Sequence, residues 1–265
     1  YKRQILDDLV SASRQNMLKR QIKKPLVDLK KEVKSLPNSN TFPFENNLYS
    51  DKISVIAEIK QASPSKGQIV SPEAFDYQQI ADEYEKAGVD AISVLTEETY
   101  FKGSLDILKN VAAKNNIPTL RKDFIIDPYM IYEAKAAGAQ IILLIVAILT
   151  DDELGSYLSL ANKLGLSAIV EAHNDEEIKR AVNAKARIIG VNNRNLKNFT
   201  VDFNNTIRLR QLVPADVLII SESGIKTRTD VEVLEQNGVN GILVGETFMR
   251  ATNKIAKINQ LRGDE

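Results

Sequence analysis

The spacing of apolar residues predicts an α/β chain folded as a single (β/α)8 TIM barrel behind an N-terminal helical extension, with the extension over residues 1–50 and the barrel over 51–265. Three observations carry this expectation. Short β-branched runs recur at 54–59, 91–95, 118–120, 141–146, 168–170, 187–191, 217–220 and 242–244, separated by segments of helical spacing such as Ile80, Tyr84 and Ala87. Gly88, Gly138, Gly165 and Gly238 each close such a segment just before a strand, where a left-handed helix C-cap is needed. Finally, six strand ends finish in polar or ionisable residues: Glu58 with Lys60, Lys122, Glu171, Asn192 with Arg194, Glu222 with Ser223, and Gly245 with Glu246. Charge gathered at one rim of a barrel marks an active site.

Taken in chain order, the first fifty or so residues carry two helical patterns, Ile5-Leu6-Leu9-Val10 and Leu26-Leu29-Val33-Leu36. The lysines between and along them, Lys23, Lys24, Lys30, Lys31 and Lys34, read as a solvated helix face rather than an anion or membrane contact. The eight β/α units follow without a Pro/Gly/Ser-rich linker, so the chain reads as one catalytic barrel with its extension packed against it.

Composition removes several classes of function. Lys+Arg and Asp+Glu are both 35, which argues against a nucleic-acid partner and leaves a small anion as the expected ligand. The chain has no cysteine and one histidine, so no Cys- or His-rich metal site, thiol nucleophile or disulfide framework is expected. The longest apolar run, 141–149, is half the length of a bilayer span, and the polar start does not resemble a secretory signal. A cytoplasmic monomer without a membrane partner is expected, its chemistry resting on Lys, Arg, Asp, Glu and Tyr.

Residues two apart in a strand face the same side, so Glu58 and Lys60 project together above Ile56. They read as functional groups or as a structural ion pair, with the Ser63-Pro64-Ser65-Lys66-Gly67 loop behind them. Lys122 shares parity with Leu120 and faces the axis, while Arg121 and Asp123 face the helices. Near cationic neighbours and out of bulk water, Lys122 would have a lowered pKa and act as an acid; it may otherwise anchor an anion. Glu171 stands across the mouth as a base or counter-charge. His173, two residues on, reads as a loop histidine, because nothing in the sequence supplies a partner for it. Arg194, with Asn192, suits a carboxylate or phosphate, or else a neighbouring acid. The loops Ser223-Gly224 and Gly245-Glu246 can turn backbone N–H groups onto a phosphate, with the Glu246 side chain pointing away.

The segments 58–67 (EIKQASPSKG), 122–124 (KDF), 189–196 (IGVNNRNL) and 221–225 (SESGI), closed by 244–246 (VGE), resemble indole-3-glycerol phosphate synthase, over about residues 50 to 250. The resemblance implies a cofactor-free and metal-free lyase of tryptophan biosynthesis. Its substrate is 1-(2-carboxyphenylamino)-1-deoxyribulose 5-phosphate, which closes to an indole with loss of carbon dioxide and water. It further implies Lys122 as the general acid of cyclisation, Lys60 and Glu171 as acid and base of the dehydration, and Glu58 as the group that positions the lysines. Ser63, Asn192 and Arg194 would contact the anthranilate part; Phe101, Phe124, Leu143 and Leu196 would wall its ring. Phosphate would sit on Ser223, Gly224, Gly245 and Glu246, with Lys60. A Schiff-base lyase and a non-catalytic phosphate-binding barrel are the rival readings.

Overall fold

The computed structural model describes residues 4–37, 41–195 and 199–264. Its strands are β1 (Ser54–Ile59), β2 (Ala91–Leu95), β3 (Thr119–Lys122), β4 (Ile141–Ile145), β5 (Ser167–Ala172), β6 (Ile188–Asn192), β7 (Leu218–Glu222) and β8 (Gly241–Val244). All pair in parallel with their sequence neighbours, and β1 pairs with β8 from Ser54↔Gly241 to Ala57↔Val244, which closes the barrel. The (β/α)8 expectation therefore holds, and each strand falls within two residues of its apolar run.

Alternation along the strands divides the core in two. Ile56, Leu120, Leu143, Ile169, Ile188, Ile220 and Leu243 fill the barrel interior, whereas Val55, Ala57, Val94, Leu144, Val170, Ile189 and Val244 pack outward against the helices. A period of two thus decides which strand-end side chains reach the axis.

Six of the described helices that follow the strands begin at side-chain caps. Asp76 opens α4 (Tyr77–Lys86), Ser104 opens α5 (Leu105–Lys114), and Asp127 opens α6 (Pro128–Ala136), whose first residue is proline. Thr150 and Glu153 make a reciprocal capping box on α7 (Asp151–Lys163), Asn174 caps α8 (Asp175–Asn183), and Thr227 with Asp230 does the same for α10 (Arg228–Gln236). Shorter α9 (Asn204–Arg210) and α11 (Glu246–Met249) precede the final α12 (Lys254–Arg262).

The N-terminal helices contact both ends of the barrel. In α1 (Gln4–Lys23) Leu9 reaches the C-terminal mouth, Ser13 Oγ donates to Asp123 Oδ1 (3.1 Å), and Arg20 Nε donates to Glu133 Oε1 (2.7 Å). The second helix, α2 (Leu26–Ser35), lies on α6. A third helix, α3 (Pro43–Leu48), had no periodic pattern in the sequence; it covers the N-terminal end of the barrel. There Glu45 accepts bonds from Ser167 Oγ and Arg187, and Leu48 packs beneath Gly241.

The four joint glycines have φ of +65°, +87°, +68° and +69° at Gly88, Gly138, Gly165 and Gly238. The α8–β6 joint makes the same turn with Lys185 at φ +63°, which is why no glycine marked it. A Cβ on Gly238 would meet nothing closer than Arg210 at 3.7 Å, so a substitution there tests backbone strain alone. Gly238→Ala should lower unfolding free energy by about 1 kcal/mol and Lys185→Gly should raise it by a similar or smaller amount, measured by urea denaturation.

Candidate active site

A cavity of about 770 Å³ opens at the C-terminal ends of the strands. Into it project Glu58, Lys60, Lys122, Glu171, Asn192 and Glu222, all on the inward parity of their strands. Sequence alternation thus brought together every strand-end group assigned to the chemistry.

At its centre Lys122 Nζ lies 3.1 Å from Glu171 Oε2 and 3.1 Å from Glu222 Oε2. Burial alone would push the lysine pKa down, but attraction to Glu171, Glu222 and Glu58 outweighs it and raises the pKa above the ordinary range. This corrects the expectation of a lowered value: the neighbours are carboxylates, not cations. The same contacts split the two acids. Burial raises both, but Lys122 and His173 hold Glu171 well below the usual carboxylate range, while burial and the negative Glu171 push Glu222 up to about 7.

Glu58 pairs with Lys60 beside the last barrel loop. A Cβ at Gly245 would lie 2.2 Å from Glu58 Oε1 and 2.9 Å from Lys60 Nζ, so glycine is required for this pair to sit against the loop. Ser63 begins a short antiparallel hairpin, Ala62–Ser63 with Gly67–Gln68, where a loop was expected. Its Oγ is buried without a hydrogen-bond partner among the described residues.

The apolar side of the cavity is made by Phe101, Phe124, Leu143, Ile145 and Leu9, with the two phenyl centroids 6.3 Å apart. Phe101 is held in place by Glu97, whose buried carboxylate accepts the N–H groups of Thr99, Tyr100 and Phe101 at 2.8, 2.6 and 3.0 Å. Leu196, assigned to the same wall, lies outside the described residues.

Across the mouth, Asn192 Oδ1 accepts from the Arg194 N–H (3.0 Å) and from Ser223 Oγ (2.9 Å). The Arg194 guanidinium touches the Phe199 carbonyl (3.4 Å) and pairs with no carboxylate among the described residues, contrary to its bland reading. Ser223 and Gly224 stand at φ +70° and +89°. A serine held in the left-handed region is backbone strain at a loop facing the cavity. The Glu246 carboxylate accepts from Arg250 Nε (3.1 Å) and lies 3.7 Å from Lys66 Nζ.

A sequence model described as indole-3-glycerol phosphate synthase matches residues 6–261. A protein of that name from Leuconostoc mesenteroides subsp. mesenteroides is 72% identical over 98% of this chain and 100% of its own. Another from Lacticaseibacillus paracasei is 54% identical over 94% of this chain and 95% of its own. The chain belongs to the indole-3-glycerol phosphate synthase family. A solved 3-hexulose-6-phosphate synthase from Salmonella typhimurium shares the fold at a TM-score of 0.65 and 14% identity, over 80% of this chain and 97% of that one.

Within this member of the indole-3-glycerol phosphate synthase family, sequence reasoning left two residues without a role. Glu222 was placed on the rim, yet its parity with Ile220 already pointed it at Lys122. His173 was judged to lack a partner, and the structure overturns that: Nδ1 lies 3.0 Å from Glu177 Oε2 and Nε2 lies 3.2 Å from Glu171 Oε1. Glu177 is one turn into α8, a position the spacing i to i+4 could have suggested. The raised Glu222 pKa has a direct readout. The infrared band of a protonated buried carboxyl should disappear with a midpoint near pH 7 as pH rises, and Glu222→Gln should lack it.

Proposed function

We propose that this chain cyclises 1-(2-carboxyphenylamino)-1-deoxyribulose 5-phosphate to indole-3-glycerol phosphate, and that the observation carrying the residue roles is Lys122 held protonated between two carboxylates at the cavity floor. Family membership supplies the reaction; the side chains supply its steps. No helix among the described residues is long and apolar enough to cross a membrane. A cytoplasmic monomer is proposed, as suits a biosynthetic enzyme acting on one small substrate.

In ring closure the aromatic carbon bearing the carboxylate attacks the ketone carbon, and Lys122 gives a proton to the ketone oxygen. The carbon–carbon bond forms as the carbonyl π bond becomes a hydroxyl. Carbon dioxide then leaves, and its bonding pair restores the aromatic ring. In the dehydration Lys60 protonates the departing hydroxyl, and Glu171 takes the proton whose removal completes the indole. Glu58 keeps Lys60 charged and in place. An ammonium paired with two carboxylates is charged at the start of the reaction, as a proton donor must be, although its raised pKa makes it the weaker acid, and the same pairing makes Lys122 a poor amine nucleophile. That weighs against the Schiff-base alternative.

The Arg194 guanidinium, which pairs with no carboxylate among the described residues, is assigned with Asn192 and Ser63 to the anthranilate carboxylate and its neighbours, and the ring is assigned to Phe101, Phe124, Leu143 and Leu196. Phosphate is assigned to backbone groups of Ser223, Gly224, Gly245 and Glu246 with the Lys60 ammonium. Lys60 lies between the Gly245 loop and Glu58, a placement compatible with touching phosphate and serving as an acid in successive states.

Indole emission tests the reaction directly, because the chain contains no tryptophan. Wild type should generate it from the phosphorylated substrate; a folded wild type that does not would leave a binding barrel. Lys122→Ala should lower kcat by about 10²- to 10⁴-fold with a much smaller change in affinity, and equal losses in both would remove the general-acid role. Arg194→Ala should instead raise KM by roughly 10- to 100-fold, the loss of one charge-assisted bond, with kcat less affected.

A further inference from the structure

His173 is the only histidine of the chain and takes no part in the steps above. It follows β5 directly, and its side chain is only 13% exposed. Each ring nitrogen faces a carboxylate oxygen, Glu177 Oε2 at 3.0 Å from Nδ1 and Glu171 Oε1 at 3.2 Å from Nε2. The second approach has ion-pair distance but lies off the angle of a hydrogen bond. The backbone is fixed as well. Glu177 Oε2 also accepts the His173 N–H (2.8 Å), and the His173 carbonyl accepts from Asn205 Nδ2 of α9 (3.1 Å).

A neutral imidazole has one N–H and one lone pair, so one of these nitrogens would point a lone pair at a carboxylate. The arrangement requires a proton on both. We propose that His173 is a positioning residue for Glu171: anchored by Glu177 as an imidazolium, it fixes Glu171 Oε1 and leaves Oε2 facing Lys122 and the substrate cavity. This inference rests on the reading of Glu171 as the base.

The chemical consequence concerns the moment after Lys122 has given up its proton. Glu171 then loses the cation on Oε2, and the neighbouring carboxylates Glu222 and Glu58 would favour its protonation. The imidazolium on Oε1 remains, so Glu171 stays ionised and correctly oriented until the substrate proton reaches it. The charged groups around the ring are Glu171 from β5 and Glu177 from α8, with Lys122 and Glu222 beyond Glu171; Asn174 and Asn205 are neutral. Burial lowers the imidazole pKa, but the Glu171 and Glu177 carboxylates more than compensate and carry it to about 10.

Because there is one histidine, ¹⁵N-histidine NMR of the unmodified enzyme yields a single imidazole. Both nitrogens should be protonated at about pH 8 and the ring should titrate near pH 10, with the transition moved down in Glu177→Gln. In His173→Gln, kcat should fall about 10-fold with KM changed by no more than about 3-fold, and the acid limb of the kcat profile should move up by about one pH unit as Glu171 loses its cation. A purely structural histidine would not move that limb. A neutral ring at pH 8, or a folded His173→Gln enzyme with wild-type kcat and an unmoved acid limb, overturns the proposal. The NMR arm needs no substitution and so survives a variant that does not fold. Failure of the base assignment is separate, because it appears as turnover surviving in Glu171→Gln.

Discussion

The ammonium of Lys122, buried between carboxylates 49 and 100 residues further along the chain, is the interaction on which the site depends. Three charges in a protein interior are tolerable only when each is paired, because leaving one without its partner costs roughly 3–5 kcal/mol. The barrel meets this requirement through register. β3 and β7 end on an inward-facing ionisable residue and β5 carries one just before its end, and closure of the sheet points all three at one volume. The consequence is a graded set of acids rather than a neutralised cluster: one carboxylate ionised, one near neutrality, and a lysine that keeps its proton.

The outward face of the same strand is equally constrained. Arg121, fully buried, donates to Thr96 Oγ1, the Met130 carbonyl, Glu133 and Asp123, and Asp123 also accepts from Ser13 and from the Phe124 N–H. Helix α1 is thereby bonded to Asp123 through Ser13 and linked to Arg121 through Glu133, which Arg20 also holds. Leu9 of the same helix faces the cavity. One strand therefore carries the Lys122 ammonium inward and fastens the N-terminal segment outward, so displacement of α1 would disturb the loop that holds Phe124.

At the opposite side of the mouth, backbone conformation does the positioning. Ser223 adopts the left-handed conformation usually left to glycine, and its hydroxyl bonds Asn192 while its carbonyl accepts from Asn193. Gly245 has no side chain because Glu58 and Lys60 occupy that space. The Gly245 loop proposed for phosphate and the Glu58–Lys60 pair proposed for acid–base work are therefore packed on one another, which explains how one lysine can lie within reach of both.

Alternation of side chains and the chemistry of helix caps are local properties, and the sequence alone determined whatever follows from them. Eight strands, four glycine joints and the inward direction of Glu58, Lys60, Lys122, Glu171 and Asn192 were all legible for that reason. The short helix Pro43–Leu48 and the Lys185 joint were not, since six residues show no period and a lysine does not advertise a positive φ. Only the tertiary structure decided the partners. The sign of the Lys122 shift, the unequal fate of Glu171 and Glu222, and the seat of His173 between two carboxylates depend on distances across a closed barrel. Electrostatic energy is set by those separations and by burial, neither of which a linear spacing contains.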